Sequence, residues 1–144
     1  VLLFDDADDR WNAIQNDPRA RLTGPYEANY FRMNGLTFPG TFGDMDTLIS
    51  AMMGERVLIR MGNLGRVRQS VHMHGFHSDV VARNNVPEVH LGPKDTFPVP
   101  SGTTTDIITT VNQQGMFPFH PHDATAVTAN GSYPFGQLTL VVVN

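Results

Sequence analysis

"GERVLIRMGNLG", Gly54 to Gly65, is the stretch whose reading decides the fold. Val57, Ile59 and Met61 alternate with Arg56, Leu58 and Arg60, so one face of an extended chain is mostly apolar and the other mostly charged. Glycines close the run at both ends. The segment reads as a half-buried β-strand bounded by turns.

The same pattern extends in both directions. Gly and Pro recur at intervals of roughly ten residues, and the segments between them favour β-branched and aromatic residues, as in an all-β sandwich. "NYFRMN", "SVHMHG", "DVVA", "DTFPVP", "TTTDIITTV", "MFPFHPH" and "QLTLVVV" join the first strand to make about eight, the size of a two-sheet Greek-key domain. "DMDTLISAMMGE" fits helix or strand by pattern alone; the strong strand after its Gly-Glu favours a strand and a tight turn. Residues 1–28 read as an N-terminal strand followed by a brief helix or loop, a linker into a domain spanning 29–144.

Composition limits the function. The chain has 144 residues, enough for one domain with a proper core and too few for two. A net charge of -4 offers no field to attract a nucleic-acid backbone. There is no cysteine, hence no disulfide, thiolate ligand or cysteine nucleophile. The longest apolar runs, such as "LTLVVV", are too short to span a bilayer. A start at Val1, without a signal-like basic-then-apolar segment, points to a processed product or a piece of something longer.

Four of the six histidines fall in two H-x-H pairs, His72 with His74 and His120 with His122. Residues two apart on a strand share a face, so each pair presents two imidazoles side by side. Adjacent strands would gather all four into one patch, and imidazole is a borderline-soft ligand suited to copper or zinc. One such pair is ordinary surface chemistry; two are a candidate metal site. His77 and His90 have no comparable support. Asp79 and Asp123 each stand beside a pair as candidates to orient it, or as plain solvated or capping carboxylates.

Other chemistries find little footing. "GNLGRV" lies between two strands, not between strand and helix, which argues against a phosphate loop. Ser70, His72 and Asp79 are near in sequence, which is not the geometry a catalytic triad needs. Met45, Met52 and Met53 lack a regular Met-x-Met run and read as packing or surface residues. Phe76, Phe117 and Phe119 are expected to pack around the histidine strands.

Taken together, "YFRMNGLTFPGT", "GERVLIRMGNLG", "HMHGFHSDVV", "DTFPVPSGTTTDI", "GMFPFHPH" and "NGSYPFGQLTLVVV" resemble, in order and spacing, the cupredoxin-type closing domain of the laccase-like multicopper oxidases. The resemblance covers nearly the whole chain from about Tyr30 onward. It implies a cupredoxin-like Greek-key sandwich or barrel, an extracytoplasmic (periplasmic or secreted) location, and half of a trinuclear copper cluster that reduces dioxygen between two cupredoxin domains. By position, His72 resembles the ligand of the type 2 copper, and His74, His120 and His122 resemble ligands of the type 3 pair. The positions of the family's blue type 1 copper hold Gln69, Pro121, Ala126 and Gly131, none of which is a suitable ligand.

Three readings follow from that resemblance. The chain is the closing domain of an oxidase whose type 1 copper lies in another domain, with an unknown reducing substrate. Alternatively, two copies face each other as an oligomer and supply eight histidines between them. In the third, the domain is a non-catalytic copper- or zinc-binding module.

Overall fold

The computed structural model describes residues 1–15, 17, 19–21, 24–88 and 92–144. Eleven strands and two short helices follow in the order β1 Leu2–Ala7, α1 Asp9–Ala13, β2 Tyr30–Met33, α2 Gly40–Gly43, β3 Ile49–Ala51, β4 Arg56–Asn63, β5 Gln69–Met73, β6 Ser78–Arg83, β7 Val86–Pro87, β8 Thr96–Val99, β9 Thr104–Thr110, β10 Gly115–Pro121 and β11 Thr139–Val143. All eight strands expected from the pattern are present, and the count rises to eleven. The additions are the N-terminal β1, the ambiguous "LISA" segment as β3, and the two-residue β7, too short to carry a period.

The strands form two sheets, β2-β1-β4-β9-β6-β7 and β3-β11-β10-β5-β8. In the first, β4 runs antiparallel to β9 from Arg56 opposite Thr110 to Gly62 opposite Thr104. Its alternation turns Ile59 and Met61 into the interior and leaves Leu58 at the surface, as the sequence predicts. β1 lies inside this sheet, parallel to β4 and antiparallel to β2. Where β4 ends, Asn63 is buried with its side chain fully used: Nδ2 donates to the carbonyls of Val67 and Val99, and Oδ1 accepts from the Gly65 amide. "GNLGRV" is thus a strand-ending loop tied to the neighbouring chain, with the Val67 amide held by Asp6.

One core joins the inner faces of the two sheets. Phe4, Met33, Met61, Val71, Met73, Phe97, Ile107, Phe119 and Val141 are all buried in it. Phe76 is buried in the same cluster, and its ring meets Phe117 edge-on at 4.7 Å. At the outer margin β8 is an edge strand, and Pro98 sits there facing out, where its missing N–H removes nothing from the ladder. α1 is capped by Asp8, a buried carboxylate that accepts from the amides of Arg10 and Glu27 and pairs with the Arg10 guanidinium at 2.6 Å.

Phe119 has no solvent exposure and stands on β10 between the two histidine positions and the core. Truncation by Phe119→Ala is expected to lower unfolding free energy by about 3–5 kcal/mol. Urea denaturation followed by tryptophan fluorescence measures it; a loss under about 1 kcal/mol would mean that this face of β10 is not packed as described.

Candidate metal centre

The site is built by strand alternation. On β5, Gln69, Val71 and Met73 are buried and face the core, so Ser70 and His72 face outward. On β10, Phe119 and Pro121 are buried, so Pro118 and His120 face outward. The two strands pair antiparallel with His120 directly opposite His72. The second member of each H-x-H pair lies one residue beyond the named strand, yet the ladder continues: the His74 amide donates to Pro118 O at 3.0 Å and the His122 amide to Ser70 O at 2.6 Å. The outward face therefore carries four imidazoles, His72 opposite His120 with His74 and His122 on the diagonals.

Their rings are in mutual contact. Centroid separations are 4.6 Å for His72 and His74, 6.0 Å for His72 and His120, 5.4 Å for His72 and His122, and 5.2 Å for His74 and His120. His74 Nε2 and His120 Nε2 are 3.1 Å apart. Two nitrogens at that separation, each about 2.0–2.1 Å from a shared ion, subtend roughly 100° at the metal, close to a tetrahedral or square arrangement. Among the described residues, no three His, Cys, Asp or Glu side chains converge to hold an ion unaided.

Hydrogen bonds settle the ring protons. His120 Nδ1 faces the Pro121 carbonyl at 2.8 Å, and a carbonyl only accepts, so neutral His120 carries its proton on Nδ1 and a lone pair on Nε2. His72 Nδ1 faces the Asp95 carbonyl at 3.0 Å and the Thr96 hydroxyl at 3.1 Å, with the same result. These are ring tautomers suited to binding metal through Nε2. Burial holds the His120 pKa below the ordinary histidine range despite the opposing Pro121 contact, and neighbouring imidazoles add to the lowering. The His74 pKa is lowered too, by desolvation first and then by His72 and His120. Neutral imidazole is the metal-binding form, so the rings fit copper or zinc.

The acidic partner of the cluster is one the sequence reading missed. Asp123 caps its own turn by accepting from the Thr125 amide, and Asp79 lies on β6 in the other sheet. Asp95 is the residue at His72, on the loop leading into β8, twenty-three positions away in sequence. The signal was β8 itself: pairing His72 with Thr96 brings Asp95 to the ring, but only the register reveals it. Ser70 and Asp79 fall on different sheets, so the triad reading ends there. His77 is exposed in the turn after β5; His90 lies outside the described residues.

Of the four positions that the resemblance matches to a type 1 copper, Gln69 and Pro121 lie on the inner face of the same strands, and Ala126 and Gly131 lie beyond β10. Gln69 and Ala126 have no exposure, Pro121 is buried, and Gly131 sits in a turn at φ +78°. Gln69 Oε1 has no hydrogen-bond partner among the described residues. None of the four offers thiolate, imidazole or thioether. Beside the histidines, a pocket of about 190 Å³ is lined by His74, Pro118, His120, Val127, Tyr133 and Leu138.

Because folding lowers the pKa of His74 and His120 below the ordinary 6.5, the folded chain binds fewer protons than the unfolded one once pH drops below that value. Metal-free protein is therefore expected to lose stability between pH 7 and 5.5, and His120→Gln to lose less over the same window. Equal unfolding free energies in urea titrations at those two pH values would contradict the pKa assignment.

The sequence matches the family model described as multicopper oxidase over residues 14–133. No curated protein matches the chain. Among solved structures, the blue copper oxidase from Nitrosomonas europaea superimposes with a TM-score of 0.84 at 22% identity, over 99% of this chain and 42% of that one. The multicopper oxidase mgLAC gives 0.81 at 27% identity over 99% and 43%, and the laccase from Botrytis aclada 0.71 at 18% over 98% and 28%. The chain thus spans less than half the length of these structures. Its two-sheet all-β architecture is cupredoxin-like, and with the family model covering most of its length, the chain belongs to the multicopper oxidase family.

Proposed function

We propose that this chain supplies half of the histidine ligands of a trinuclear copper site for dioxygen reduction, completed by a second cupredoxin domain across a domain or subunit interface. The observation that carries this reading is the outward patch itself: four imidazoles in contact, two with Nε2 atoms 3.1 Å apart, and, among the described residues, no third such side chain converging with them. A self-sufficient metal site would close its own coordination shell. An interfacial one leaves it open.

By the resemblance to the family, His74, His120 and His122 would be ligands of the type 3 pair and His72 of the type 2 copper; the 3.1 Å between His74 Nε2 and His120 Nε2 is compatible with those two sharing one ion. Copper bound there would supply the redox chemistry that imidazole lacks. The protein's part is to fix the protons of His72 and His120 on Nδ1, where a carbonyl accepts each, and so leave a lone pair on each Nε2. Around the rings the face is apolar and open: Met116 precedes Pro118 and His120 on the outward side of β10, and Tyr133 lines the adjoining pocket; the two are 62% and 70% exposed. A partner seated there excludes water from the site and shields these side chains together.

With no cysteine in the chain, a blue copper belongs to another domain, and so do the contacts with the reducing substrate. Extracytoplasmic function accords with the family.

Copper per chain and assembly mass, measured together on copper-loaded protein, test the proposal. A homo-oligomeric site predicts about three copper ions for every two copies, lost in His72→Ala and His120→Ala. A monomer that takes up no copper alone but does so when a partner cupredoxin domain is added supports the interdomain form. One tightly held copper or zinc on a monomer, unaffected by a partner, would instead make this a self-contained binding module.

A further inference from the structure

Three oxygens approach the ring nitrogen of His72 that points away from the histidine patch. The Asp95 carbonyl is 3.0 Å from Nδ1, the Thr96 hydroxyl 3.1 Å and the nearer Asp95 carboxylate oxygen 4.0 Å. The Thr96 hydroxyl lies 3.0 Å from that same carboxylate oxygen. A hydroxyl has one proton, and an ionised carboxylate only accepts, so Thr96 Oγ1 donates to Asp95 Oδ1 and turns a lone pair to His72. The direction of the chain is thereby fixed: His72 Nδ1–H to Thr96 Oγ1–H to Asp95 Oδ1.

Backbone pairing holds the arrangement. Thr96 is opposite His72 in the β5–β8 ladder, on the same outward face. The Asp95 carbonyl also accepts the Met73 amide at 2.9 Å, which pins it beside the ring. Two residues earlier in space, Lys94 and Ser78 exchange a pair of backbone hydrogen bonds that anchor the loop to β6. The His72 side chain is 18% exposed and that of Asp95 48%, so the relay runs from a shielded ring to solvent.

We infer that Asp95 and Thr96 are positioning residues that hold His72 as an Nε2 metal donor through a hydroxyl-bridged link to a carboxylate. This rests on the copper reading above for its purpose, though the hydrogen-bond chain exists without the metal. A carboxylate acting through a hydroxyl locks the ring's tautomer and orientation and makes Nε2 a stronger donor, as outer partners of ligating histidines do. Among the histidines of the patch, His72 alone is bonded to both a side chain and a neighbouring loop, which suits a ligand that must stand without a second ring from its own strand pair aimed at the same ion.

The test compares the parent chain with Thr96→Val, Asp95→Asn and the conservative Thr96→Ser. Nitrogen-15 NMR of the histidine rings in metal-free protein reads the tautomer and the Nδ1 proton shift; competition titration with copper(II), in the assembly that binds it, reads affinity; thermal melting checks the fold. The parent is expected to show His72 protonated on Nδ1 with a downfield proton. Thr96→Val and Asp95→Asn should move that proton upfield and weaken copper binding about 10-fold or more, with Thr96→Ser restoring both at unchanged melting temperature. A parent protonated on Nε2, or an Nδ1 proton unmoved in both variants, overturns the relay whatever the copper titration gives. A parent with the expected proton signature that binds no copper in any assembly overturns the copper reading, and with it the relay's role in holding a ligand.

Discussion

The register that sets His120 opposite His72 is the constraint from which the rest of the site descends. Because successive residues face opposite sides of a sheet, a slip of one position would turn the two imidazoles of the slipped strand into the core and bring its apolar residues, Val71 and Met73 on β5 or Phe119 on β10, to the surface. Burying neutral imidazoles without partners and exposing large apolar side chains are both costly, so hydrophobic packing specifies the metal patch without any contribution from metal. On its other side β5 pairs with β8, and that second register sets Thr96 beside His72 and, through it, Asp95. Core and site are two faces of one ladder.

This division explains how the same two strands carry outward imidazoles and, at inward positions 69 and 121, neither thiolate nor imidazole. The first-pair and second-pair histidines lie on the outward face; the type 1 positions Gln69 and Pro121 lie on the inward face of the same strands. One face has been filled as core, the other keeps a full set of donors. Lowered pKa values on His74 and His120 come at some expense of stability in mild acid, since burial first and the neighbouring imidazoles second disfavour protonating these two rings.

Much of this was legible in the sequence. Alternation in "ERVLIRMGN" gave a strand with the correct face inward, and the two H-x-H pairs pointed to one patch of four rings because period two is a local property. The short β7 was not legible, since two residues carry no pattern. Asp95 was missed for a different reason: Asp79 and Asp123 are near the histidines in sequence, whereas Asp95 reaches His72 only through the pairing of β5 with β8, and registers between distant strands are not written in any single segment. Met45, Met52 and Met53, placed at the surface, show that thioether spacing alone separates neither packing from exposure nor either from metal handling.

The central claim is that the outward patch is half of a copper site whose other ligands come from elsewhere. Diffraction at the copper edge from crystals of the copper-loaded assembly addresses it directly. The account predicts anomalous density about 2.0–2.1 Å from both His74 Nε2 and His120 Nε2, with further ligands to the same ion contributed by another domain or copy. Density lying away from these four histidines, or an ion there whose protein ligands all come from this one domain, would contradict it.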